Sequence, residues 1–67
     1  MRTNYLVILN YRTSEVITIK LTKEQKKKAK TFVHFEDYVE SLEEQYHFRY
    51  KDCSWMVSES LHERSYL

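Results

Sequence analysis

Cys53 is the only cysteine of this 67-residue chain, and His34, His47 and His62 are its only imidazoles. A thiol becomes a catalytic nucleophile when a base within hydrogen-bond reach takes its proton. His34 and His47 qualify for that role by residue type alone, because each falls near an expected helix end and no Asn or Asp signature supports it. Beside Trp55 and Met56, Cys53 reads as a small buried hydrophobe. The same four residues lack the close-spaced ligand pairs of structural zinc sites, and His47 suits a helix C-terminus, where partial positive charge is favoured. The chain contains no glycine, which removes phosphate loops and dinucleotide fingerprints together. No catalytic, metal-ligating or cofactor-binding residue is therefore assigned, no cofactor or small-molecule substrate is expected, and the chain reads as non-enzymatic.

Charge carries more information. The formal net charge is only +1, yet residues 1–30 hold eight basic side chains and two acids, whereas residues 31–48 hold five acids and no Lys or Arg. A basic segment thus precedes an acidic one. Lys23, Lys26, Lys27, Lys28 and Lys30 form a candidate contact with nucleic-acid phosphates, although a solvated helix face that keeps the protein soluble is the plainer explanation. No Arg or Asn stands among them to read base edges. Glu36, Asp37, Glu40, Glu43 and Glu44 suit the wet side of an amphipathic helix, with Glu36 and Asp37 also complementing its dipole. A third possibility joins the two runs, the basic segment of one copy meeting the acidic segment of another in a symmetric dimer.

Six tyrosines and one tryptophan in so short a chain either fill a thin core or pave an interaction surface. Which of them do so depends on the elements that carry them. Tyr5–Tyr11 reads as a strand apolar on both faces, and therefore central. Glu15–Leu21 alternates, with Ile17, Ile19 and Leu21 on one side and Thr18 and Lys20 on the other, as an edge strand does. Arg12-Thr13-Ser14 joins them as a hairpin.

Thr22-Lys23-Glu24-Gln25 matches a capping box and starts a helix at Thr22. Further on, Phe35, Tyr38, Val39, Leu42 and Tyr46 share a helical face. At about 100° per residue, that face and the one carrying Ala29, Phe32 and Val33 lie roughly 110° apart. One straight rod cannot bury both against a single sheet, so a kink or break is expected near His34. Phe48–Val57 supplies a third strand with Tyr50, Cys53, Trp55 and Val57 inward. The parity change between Tyr50 and Cys53 marks a bulge or late start at Lys51-Asp52. Ser58–Leu67 has no convincing period and reads as a frayed polar tail after a single domain spanning residues 1–57.

The expected fold is thus a small α+β domain of order β-β-α-α-β. A three-stranded sheet has the first strand central, and the helices pack on one face. The other sheet face then has no sequence left to cover it. Tyr5, Val7, Leu9 and Tyr11 are the candidate protein interface there.

The hairpin Tyr5-Leu6-Val7-Ile8-Leu9-Asn10-Tyr11…Ser14-Glu15-Val16 and the segment Asp52-Cys53-Ser54-Trp55-Met56-Val57 resemble a group of small uncharacterised bacterial proteins. In that group a YLVILDY-x-TGEV hairpin precedes an acidic helix and a C-x-W-M-V strand. Ser14 stands where the group has Gly. The resemblance implies the same strands and a bacterial cytoplasmic protein, and it carries no activity.

A single cysteine suits a reducing compartment. The N-terminal apolar run stops at Asn10, too short for a signal peptide, and no run of about 20 apolar residues spans a membrane. The expectation is a cytoplasmic interaction module without membrane association. It self-associates as a homodimer through an exposed sheet face or edge, or binds another protein. The alternative is a weak nucleic-acid binder using the Lys23–Lys30 segment.

Overall fold

A computed structural model describes residues 3–66. Its strands are β1 (Tyr5–Asn10), β2 (Glu15–Lys20) and β3 (Cys53–Ser58); its helices are α1 (Lys23–Ala29), α2 (Phe35–Ser41) and α3 (Glu43–Tyr46). The strands form one antiparallel sheet in the order β2-β1-β3, so β1 is central, as its two apolar faces predict.

The hairpin closes without glycine. Asn10 pairs with Glu15, leaving Tyr11–Ser14 as a four-residue loop. Asn10 is only 5% exposed, and its Oδ1 accepts the backbone N–H groups of Arg12 (3.0 Å) and Thr13 (3.3 Å). That side chain stands in for a backbone turn partner, a role Asn fills through its short amide. Ser14 closes the loop at φ 59°, in the left-handed region. The Tyr11 N–H then bonds the Asp52 carbonyl at 3.1 Å, carrying the β1–β3 pairing one residue past the strands.

Thr22 caps α1 as its sequence predicts. Its Oγ1 accepts the Gln25 N–H (3.1 Å), while its own N–H reaches Gln25 Oε1 (2.9 Å). Two otherwise orphaned donors are satisfied together. The expected break is present: α1 ends at Ala29 and α2 begins after His34. The Thr31 hydroxyl binds the Lys28 carbonyl at the end of α1. Phe32 then packs on Tyr38 with ring centroids 5.7 Å apart, whereas Val33 is 90% exposed. Breaking the rod lets Ala29 and Phe32 reach the core together with the α2 face, at the cost of leaving Val33 in water.

Leu6, Ile8, Ile19 and Leu21 of the sheet side meet Tyr38, Val39, Leu42 and Phe48 in one cluster. Ile8 lies between Ile17 and Trp55, and Leu6 between Ile19 and Val57, so these rows face the helices. Trp55 closes the far side against Phe35, centroids 5.4 Å apart.

Four boundaries differ from the sequence reading. Tyr11 belongs to the loop rather than to β1, and Leu21 lies just beyond β2. The third strand starts at Cys53, not Phe48, and ends at Ser58. His47 adopts φ 55° at the end of α3, turning the chain so that Phe48 drops into the core. A 3₁₀ turn over Tyr50–Asp52 then lifts it onto the sheet, at the residues where the parity change lies. Residues 59–66 form neither helix nor strand; Met1, Arg2 and Leu67, at the ends of the expected domain and tail, lie outside the described residues.

Candidate functional site: the uncovered sheet face

Odd-numbered β1 residues point away from the helices, and the register places them in three rows. Leu9 lies between Val16 and Ser54, Val7 between Thr18 and Met56, and Tyr5 between Lys20 and Ser58. Beyond the first row, the Tyr11 hydroxyl donates to Ser54 Oγ at 2.8 Å, which leans the ring toward β3. Leu9 is 39% exposed, Met56 53%, Val16 67% and Tyr11 68%, while Val7 between them is 8%. The other large apolar side chains left in water, Val33, Leu61 and Tyr66, belong to the helix connection and the tail.

This face is polarised. Its hairpin end is apolar, and its opposite end carries Lys20 with Tyr5 and Ser58. Tyr5, Val7, Leu9 and Tyr11 thus share one surface, three of them accessible and Val7 shielded by its neighbours. Sequence reasoning did not single out Val16 and Met56. Their signal was present: Val16 is the odd apolar residue on the polar side of β2, and Met56 alternates against Trp55 and Val57.

The helix layer has the opposite character. Lys23, Lys27, Lys28 and Lys30 are exposed, but Lys26 is partly buried and its Nζ binds Asn4 Oδ1 at 2.5 Å. Gln25 Nε2 donates to the Tyr46 hydroxyl at 3.0 Å, which ties α1 to α3. The basic helix is therefore moored beside the acidic one, where Glu36, Asp37, Glu40 and Glu44 are exposed. Glu43 is partly engaged, its Oε2 accepting the Tyr50 N–H at 2.8 Å.

Cys53 sits half-buried at the start of β3. Burial pushes its thiol above the ordinary value, and the Asp52 and Glu43 carboxylates push it further the same way. A nucleophilic cysteine needs the reverse shift. Among the described residues, no group of three or more His, Cys, Asp or Glu side chains is placed to hold a metal ion. No described helix is long and apolar enough to cross a membrane.

No protein-family model, curated relative or solved structure matches this chain.

Proposed function

We propose that the chain is a non-enzymatic interaction module, bacterial and cytoplasmic, that associates with a second copy of itself through the open sheet face. The observation that carries this reading is the accessible apolar block Leu9, Val16 and Met56, with Tyr11 beside it and no described element lying over it. Exposed apolar surface gathered on one rigid element marks an interaction site more strongly than scattered residues do.

Charge argues against pairing at the β3 edge. Pairing β3 with β3 brings together two acidic α2 helices, since Phe35 of α2 packs at a tilt against Trp55 of β3. Facing sheets keep both charged layers outside. Three strands about 4.8 Å apart and about 20 Å long give a projected footprint of roughly 300 Å² per copy, below that of a standard specific interface, as suits a weak association.

The test is sedimentation velocity from low to high micromolar protein at two salt concentrations, with and without a mixed-sequence DNA duplex. A concentration-dependent dimer indifferent to DNA supports the proposal. A monomer throughout removes it, and a monomer that co-sediments with DNA only at low salt transfers the function to the lysines of α1.

A further inference from the structure

Two facing sheets can be related by a two-fold axis in two principal ways, with hairpin over hairpin or with hairpin over the opposite end. The polarity of the open face distinguishes them. We infer that two copies pack sheet on sheet about a two-fold axis parallel to β1, with their hairpin loops at the same end of the dimer. This rests on the self-association proposed above.

The occupant is a second copy on grounds of area and charge. The chain exposes 5629 Å², against roughly 4,600 Å² for a compact monomer of 8.3 kDa. A partner in an ordinary specific complex covers about 800 Å² on each side, and the face with the ring of Tyr11 offers less than that, which fits a small self-complementary contact. The molecule measures 17 Å across its thinnest direction, the depth of one sheet and one helix layer. A sheet layer about 10 Å away completes a sandwich.

The axis follows from the rows. With the axis along β1, Leu9 meets Leu9 of the other copy and Val7 meets Val7. Val16 falls over the neighbourhood of Ser54, into which the Tyr11 ring leans. Met56 falls over Thr18, and Lys20 lies over Ser58 near the rim, where its ammonium keeps access to water. The two lysines remain about two strand spacings apart across the sheet, roughly 10 Å. With the axis perpendicular to the strands, Lys20 instead lies over Val16. A cation and an apolar side chain are then desolvated against each other with no acid on the face to compensate. Leucine on leucine along the axis and lysine on hydroxyl at the rim is the arrangement that spares the cation, and Lys20 is the residue that decides it.

The hairpin loop provides a test that leaves the interface intact. Thr13 is exposed in the loop, and only its backbone N–H is used, by Asn10. Cys53→Ser/Thr13→Cys protein carrying a nitroxide at residue 13 places the label outside the sheet face. Sedimentation of the labelled protein first establishes whether it is dimeric. In the inferred dimer the two labels lie at one end, within roughly 20 Å of each other, and the spectrum shows strong dipolar broadening that dilution with unlabelled protein removes. A dimer in which the labels are separated by the length of the strands or more, about 25–35 Å, overturns the alignment while leaving self-association standing. A labelled protein that remains monomeric at all concentrations, like its unlabelled parent, overturns both.

Discussion

Replacing Ser14 by Gly stabilises the fold, because the chain places an ordinary L-residue in a conformation that glycine adopts freely. At φ 59° the Ser14 Cβ crowds the following carbonyl, at a cost of about 1–2 kcal/mol. The loop cannot relax away from it: Asn10 Oδ1 holds Arg12 and Thr13, and the Glu15–Asn10 pair fixes the other side. Glycine removes the crowding but returns about 0.5–1 kcal/mol through the greater freedom of the unfolded chain. The net gain is about 0.5–1 kcal/mol. For a domain of this size that raises the thermal midpoint by about 3–6 °C. Ser14→Val serves as the opposite control, since a β-branched residue in this region is strongly disfavoured, and it lowers the midpoint by at least as much. Thermal and urea unfolding of the three proteins at one fixed concentration measures both effects. A Ser14→Gly protein less stable than the parent, or a Val variant equal to it, refutes the role given to this turn.

Further expectations concern the anchors of the sheet and the titrating groups. Asn4→Ala removes the bonds to Lys26 Nζ and, at 2.9 Å, to the Glu59 carbonyl, so urea unfolding should show a loss of about 1–3 kcal/mol. Tyr38 is 1% exposed, and burial, then the neighbouring Tyr46, raises its phenol above the usual value. The folded state therefore holds the Tyr38 and Cys53 protons more tightly than the unfolded chain. Stability is full below the ordinary thiol and phenol values, about 8.5 and 10, and falls as pH rises through the higher folded ones. Tyr38→Phe should weaken that alkaline decline, measured as midpoint against pH between 8 and 11; an unchanged slope contradicts it. Cys53 should alkylate more slowly at pH 8 in the folded protein than in urea, as timed mass spectrometry reads directly; equal rates contradict the burial argument.

Much of this architecture is legible in the residues because a few local signals agree. Tyr5 to Leu9 is apolar on both faces, which only a central strand satisfies, and Thr22 to Gln25 spells a cap that forms as written. The mismatch in phase between Phe32 and Phe35 foretells the break between α1 and α2. What escapes is set by tertiary geometry. Nothing local tells Phe48 that His47 will turn left-handed and send it into the core, so the apolar pattern runs the third strand back to Phe48, while the parity change at Lys51-Asp52 marks the late start that the structure has. Lys26 looks like its neighbours in a basic run, yet it is drawn out of that run by Asn4, a residue 22 positions away. Val16 and Met56 are single apolar residues among polar ones, and only the register that sets Val16 beside Leu9 and Met56 beside Val7 reveals them as one surface.

The most direct test of self-association through the open face is a charge placed there and nowhere else. Val16→Asp changes a residue already 67% exposed, so the monomer should lose no more than about 1 kcal/mol and stay folded. In the facing-sheet dimer it puts an unpaired carboxylate into the interface twice. Sedimentation velocity at several hundred micromolar should then show dimer for the parent and for Lys27→Gln, and monomer for Val16→Asp. A Val16→Asp protein that dimerises as tightly as its parent contradicts the assignment of the open face.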